Sequence, residues 1–146
     1  MWRWSNVGRI MSRPEFRAKV MLEATISPSE DPAKVVRALR NVLGEVPADE
    51  TVNPSSVRIW TDDAKALVHI RDSLRDRHVR SAARRQLLAN RARRSSSLML
   101  NRQAAAAGVL VLCGSPEESP LGPIYLTVES VKLDSILDWL SAYGVG

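Results

Sequence analysis

Cysteine is nearly absent from this chain: Cys113 is the one thiol in 146 residues. A lone cysteine closes no internal disulfide and offers no Cys-x-x-Cys pair, and two histidines are too few for a zinc or catalytic cluster. A reducing interior, cytoplasmic and without structural metal or cofactor, is the expected setting. No apolar run approaches the ~20 residues that a bilayer-spanning helix needs, so no membrane partner is expected. Aromatic residues make up 5% of the chain, and as strand aromatics only Phe16 and Tyr125 stand out, with Phe16 on the inward side. A sheet that stacks bases on its rings is therefore poorly supplied. There is no GxGxxG, GxxxxGK(S/T), HExxH or GxSxG, hence no motif of a recognised enzyme. His69 and His78 fall on helical segments without ligand types beside them, and Cys113 reads as a buried small hydrophobe.

Basic charge is plentiful, and it is local. The net charge of +5 conceals a segment, "RDRHVRSAARRQLLANRARR" (75–94), with eight Arg and one Asp, a net +7. The rest of the chain sums to −2, and the part after Gln103 to −4. Of the 21 basic residues 17 are Arg, whose planar fork suits phosphate. With 45% hydrophobic and 25% charged residues, the composition is that of an ordinary soluble globular domain.

"FRAKVMLEATI" alternates cleanly from Phe16 to Ile26 and predicts a strand with one buried side. "SPSEDP" supplies Asp31 as an N-cap and Pro32 at the first helical position; the apolar stripe Val35, Val36, Ala38, Leu39, Val42 and Leu43 ends at Gly44. "EVPADETVNPSS" reads as a loop and "VRIWT" (57–61) as a second strand, with Thr61 or Asp62 placed to cap a helix carrying Ala66, Leu67, Ile70 and Leu74. The Arg-rich stretch, without Gly or Pro, reads as a second helix or as a continuation bent near Asp76–Val79. "SSSLMLN" predicts a third strand, "RQAAAAG" a short helical turn, and "VLVLC" (109–113), apolar throughout, a central strand. "GSPEESPLGP" is a turn-rich loop in which Glu117 and Glu118 are taken as solvated. "IYLTVE" is a further strand, and Leu133, Ile136, Leu137 and Leu140 line a last helix. The order is β-α-β-α-α-β-β-β-α: a single-domain α+β fold, a mixed sheet with helices on one face. Residues 1–14, basic and carrying two Trp, are expected to be a loose N-terminal extension, with Met11 a second candidate start, and 15–146 the domain.

On a helical wheel Arg77, Arg80, Arg84 and Arg91 share an arc of roughly 60°, while Val79, Ala82, Ala83, Gln86 and Leu87 lie mostly opposite and would pack on the sheet. Arg85, Arg93 and Arg94 widen the basic surface, and Leu88 interrupts it. A cluster of like charge calls for neutralisation by nucleic acid, by the acidic C-terminal part, or by a second subunit. The leading reading is a non-enzymatic protein that grips the backbone of structured RNA, or of the ribosome, through Arg77, Arg80, Arg84, Arg85, Arg91, Arg93 and Arg94, with Arg102 nearby. Arg17 and Lys19 would extend that patch on the strand face. The alternative is a homo-oligomeric or partner-binding module whose Arg helix pairs with acidic protein surface; a homodimer is compatible with both.

"LNRQAAAAGVLVLC", "ESPLGPIYLTVE" and "ILDWL", together with "ISPSEDPAKVVRALRNVL" and "RSAARRQLL", resemble an archaeal family of uncharacterised proteins, uncharacterised protein family two-hundred-and-one. The similarity runs from about Phe16 to Leu140. It implies an α+β fold similar to the large-subunit ribosomal protein that contacts 5S RNA, a cytoplasmic archaeal protein, and a relation to RNA-binding domains. It supplies no catalytic residues. The ending "DWLSAYGVG" and the first fifteen residues depart from the family pattern and affect the termini only.

Overall fold

The structure is a computed structural model, and it describes residues 17–74 and 77–141. The expected extension at 1–14, together with Phe16, lies outside the described residues. Chain order is β1 (Lys19–Thr25), α1 (Pro32–Leu43), β2 (Asp49–Asn53), β3 (Ser56–Thr61), α2 (Ala64–Ser73), α3 (Arg77–Ala89), β4 (Ser95–Leu100), α4 (Arg102–Ala106), a 3-10 turn (Pro116–Glu118), β5 (Ile124–Glu129) and α5 (Leu133–Ser141). The strands form one antiparallel sheet in the order β2-β3-β1-β5-β4.

Alternation within the strands decides which side of the sheet is covered. In register across four strands, Ile59, Leu22, Leu126 and Leu98 form one fully buried row. Val20 and Val128 lie in the next row. The helices cover this side: Val35, Leu39 and Leu43 of α1, Leu67 and Ile70 of α2, Ala83 and Leu87 of α3, and Ile136 and Leu140 of α5 complete the core. The opposite side of the sheet presents Lys19, Met21, Glu23, Arg58, Trp60, Tyr125 and Met99, each half-buried or exposed.

Local chemistry sets the helix ends as expected at α1. Asp31 accepts from the Ala33 N–H at 3.0 Å, Pro32 follows, and Gly44 ends the helix at φ +85° with its N–H on the Arg40 carbonyl. At α2 the cap is Asp63, which accepts from the Lys65 N–H at 2.9 Å, rather than Thr61 or Asp62. Thr61 instead donates to the Pro47 carbonyl and accepts from the Asp63 N–H.

The α+β class, with helices on one face, is as expected, but the sheet is antiparallel throughout rather than mixed, and two segments take other roles. Asp49–Asn53, read as loop, is the edge strand β2, paired in register with β3. Its exposed "DETVN" has no hydrophobic alternation; the tight turn at Asn53, whose Oδ1 accepts from the Ser55 and Ser56 N–H groups, brings it back along β3. Val109–Cys113, read as a central strand, makes a single bridge, Leu100 to Leu112, outside β4. Val109 and Val111 are 54% and 43% exposed. The interior places are held by β3, β1 and β5, so the apolar run lies at the sheet's edge. Gln86 of α3 closes that edge: its side-chain oxygen accepts from the Met99 N–H at 2.7 Å and its NH2 donates to the Cys113 carbonyl at 2.9 Å. The amide thus supplies one rung that a continued strand would have made.

Candidate nucleic-acid interface

Helix α3 meets the rest of the fold as its pattern requires on one side only. Ala83 and Leu87 are buried over the sheet, and Val79 and Gln86 are partly covered. Of the arc holding Arg80 and Arg84, however, Arg80 is buried and Arg84, though exposed, leans on a neighbouring helix. The arc lies along the flank where α3 packs on α5 and meets the end of α2. The exposed side of α3 is centred on Arg85, Leu88 and Ala89.

The predicted arginines therefore separate into groups. Arg80 is 8% exposed, and its Nε donates to the Leu74 carbonyl, one of the orphan acceptors at the C-terminus of α2. Arg84 donates through Nη1 to Asp138 Oδ1 at 3.1 Å and to Ser141 Oγ at 3.0 Å, both on α5. Arg91 pairs with Asp134 in the first turn of α5, and that hydrogen bond raises its pKa. Arg102 is 4% exposed: its Nη1 donates to both oxygens of Glu30 at 2.8 Å and its Nε to the Gly122 carbonyl at 3.0 Å. The side chain of Arg77 lies outside the described residues. Arg85, Arg93 and Arg94 are exposed and make no ion pair among the described residues.

Arg80 and Arg102 thus serve the fold, since a phosphate could reach either guanidinium only by displacing buried bonds. The acidic C-terminal part neutralises Arg84 and Arg91 from within the chain, through pairs whose carboxylates are about 70% exposed and whose hold is weak. Arg71 of α2 joins the same junction. Its Nε donates to the Trp139 carbonyl at 2.9 Å, its guanidinium lies 5.2 Å from the Trp139 ring, and burial, followed by the charge of Arg80, lowers its pKa.

Arg94 belongs to a different locale, one end of the sheet. The Ser130 N–H donates to the Arg94 carbonyl at 2.8 Å, and Ser130 Oγ donates to the Arg17 carbonyl at 2.7 Å. Ser130 so ties together the residue before β4, the lead-in to β1 and the end of β5. Beside it opens a groove of about 760 Å³ lined by Arg17, Lys19, Trp60, Asp62, Glu129 and Val131, among others. Trp60 and Lys19 also line a second groove of about 340 Å³, on the open side of the sheet with Met21 and Arg58.

Trp60 of β3, half-buried, is a strand aromatic further to Phe16 and Tyr125 of the sequence pattern. Its signal is present in "VRIWT": if Val57, Ile59 and Thr61 face the core, Arg58 and Trp60 face away. The loop "SPLG" is the turn expected of it, with the Gly122 N–H on the Ser119 carbonyl at 2.9 Å. Its third residue, Leu121, carries a φ of +69°. Glu118 accepts from the Gly114 N–H at 2.9 Å, and among the described residues no group of three or more His, Cys, Asp or Glu could hold a metal ion. No helix among the described residues is long and apolar enough to cross a membrane.

Comparison with known proteins places the chain in a family. No family model matches it. A UPF0201 protein of Sulfurisphaera tokodaii is 32% identical over 126 residues, covering 84% of this chain and 86% of that one. A UPF0201 protein of Saccharolobus solfataricus is 34% identical over 133 residues, covering 87% and 91%. Among solved structures, a UPF0201 protein from Methanococcus jannaschii superposes with a TM-score of 0.70 at 20% identity, over 88% of this chain and 96% of that one. A DUF54 protein from Methanothermobacter thermautotrophicus superposes at 0.60 with 15% identity, over 87% and 94%; these two likenesses speak for the fold. At the identity and coverage shared with the Sulfurisphaera and Saccharolobus proteins, this chain belongs to the archaeal UPF0201 family of uncharacterised proteins.

Proposed function

We propose that this protein is a non-enzymatic RNA-binding protein that holds RNA by its sugar-phosphate backbone. The observation that carries the reading is the set of Arg85, Arg93 and Arg94, exposed and without an ion pair among the described residues, in the segment of net charge +7. Three exposed guanidiniums close in sequence, with no carboxylate paired to them among the described residues, make a locally positive surface that attracts a polyanion. Arg84 and Arg91 join the surface when RNA phosphates displace Asp138 and Asp134. Arg80 and Arg102 act from within, holding the elements that present the others.

One observation favours a second reading. Arg84 and Arg91 pair with Asp138 and Asp134 of the same chain, so carboxylates can meet this arginine surface. A homo-oligomeric or partner-binding module would use Arg85, Arg93 and Arg94 in the same manner against a neighbouring carboxylate surface.

Titrating labelled single-stranded RNA at several salt concentrations separates the two. For RNA binding, log K falls with log salt by about 0.7 for each phosphate neutralised on a single strand. An R85Q/R93Q/R94Q variant should flatten that slope by up to about 2. Absence of binding by the wild type, together with loss of oligomers in the variant by light scattering, supports the module instead.

A further inference from the structure

We propose that the groove at the end of the sheet, continued over Trp60 onto the open sheet face, is the path of an unpaired RNA strand, with a base stacked on the Trp60 indole. This rests on the RNA-binding reading and names the part of the surface that would distinguish unpaired from duplex RNA.

Three observations converge. The first is the run of space: the 760 Å³ groove at the strand ends and the 340 Å³ groove on the sheet face share Trp60 and Lys19, so the two meet at that ring. The second is charge drawn from separate segments. Arg17 and Lys19 enter from the start of β1, Arg93 and Arg94 from the loop before β4, and Lys132 follows β5; all are exposed. Ser130 holds the Arg17 and Arg94 backbones on either side of itself. The third is an aromatic surface where a sheet face ordinarily carries small polar residues. Trp60 stands opposite Met21 in register, and Tyr125 stands opposite Met99.

The groove also carries Asp49, Asp62 and Glu129. Against Arg17 and Lys19, the two cations of its lining, these leave the groove itself net negative, with Arg93, Arg94 and Lys132 in flanking segments outside it, and they oppose a phosphate placed directly over them. They suit a base or ribose instead, because a carboxylate accepts from exocyclic amino groups and from the 2′-hydroxyl. The division of labour follows: phosphates run along Arg94, Arg17 and Lys132 at the rim, and a base turns inward over Trp60 among the carboxylates. A duplex keeps its bases stacked on one another and gains nothing from Trp60.

Fluorescence anisotropy with a labelled single-stranded RNA of mixed sequence, and with the matching duplex, tests this on the full chain. Trp60→Leu should weaken single-strand binding by about 5- to 150-fold, the range for loss of one stacked base, while leaving the salt slope unchanged. Trp60→Phe, which keeps a ring, should retain most of the affinity and guards against misfolding of the Leu variant. R17Q/K19Q should lower the salt slope by about 0.7 for each cation that meets a phosphate. Duplex binding should be indifferent to Trp60→Leu. Equal affinity of Trp60→Leu and wild type for the single strand overturns the proposed path, and so does an equal loss for duplex. If the wild type binds and only R85Q/R93Q/R94Q abolishes it, the RNA-binding reading stands and the groove fails; if the wild type binds no RNA, both fall.

Discussion

Replacing Arg102 by Met would remove the one cation that Glu30 meets among the described residues. The side chains of this pair are 5% and 12% exposed, so neither has water to fall back on. Four interactions disappear together: the contacts from Nη1 to both Glu30 oxygens, the bond from Nε to the Gly122 carbonyl, and a long one from Nη2 to Thr25 Oγ1. Gly122 keeps the Ser119 hydroxyl at 3.0 Å, but the Glu30 carboxylate is left with the Ser27 N–H at 2.8 Å. Removing one partner from a buried pair costs about 3–5 kcal/mol, most of it the uncompensated charge. That is a large share of the roughly 5–15 kcal/mol that holds a domain of this size. With a urea m-value of about 1–3 kcal/mol/M, the unfolding midpoint should fall by at least about 1 M. Removing both charges in E30L/R102M should restore part of the loss, so the two single costs should exceed that of the double variant. A cost below about 1 kcal/mol for Arg102→Met, or strict additivity in the cycle, would refute the structural role assigned to this arginine. Unchanged stability with weakened RNA binding would return Arg102 to the surface set.

Other perturbations read other parts of the fold. Gly44→Ala should cost about 1–3 kcal/mol in urea unfolding, because the position holds φ +85° and a Cβ there would lie 2.7 Å from His69 Cγ. Gln86→Leu should cost about 1–3 kcal/mol by stranding the Met99 N–H and the Cys113 carbonyl, and hydrogen exchange should rise first at Met99. Burial, with a smaller push from Glu118, raises the Cys113 pKa, so its thiol stays protonated at neutral pH. Iodoacetamide should label it only at the rate of unfolding, and fast labelling of the folded protein would contradict its burial. Asp138→Asn should change stability by less than about 1 kcal/mol, since its pair with Arg84 is exposed, and should tighten RNA binding at low salt by releasing that guanidinium.

What could be read from the sequence was local. Alternation through Lys19–Ile26 is a property of neighbouring residues, as are Asp31, Pro32 and Gly44 at the ends of α1, and each appears in the fold as its chemistry requires. The small-residue side of α3 was equally legible through Ala83 and Leu87. The wheel could say which arginines share an arc but not what faces it. The carboxylates that do so are 54 residues from Arg84 and 43 from Arg91, and Glu30 is 72 from Arg102. Such partners are set by tertiary packing, which periodicity does not encode. The same limit explains Val109–Cys113, where an apolar run is compatible with the middle or the edge of a sheet, and β2, which owes its pairing to the turn at Asn53. Trp60 differs from these, because the alternation of "VRIWT" did carry its position.

Crosslinking the full chain to a single-stranded RNA containing 4-thiouridine, and locating the attached peptides by mass spectrometry, tests the proposed RNA-binding surface most directly. Crosslinks are expected in the stretch from Arg85 to Arg94 and at Trp60, lost as salt rises and absent from Arg80 and Arg102. A protein that yields no crosslinks at low salt, or yields them only away from those segments, contradicts RNA binding at this surface.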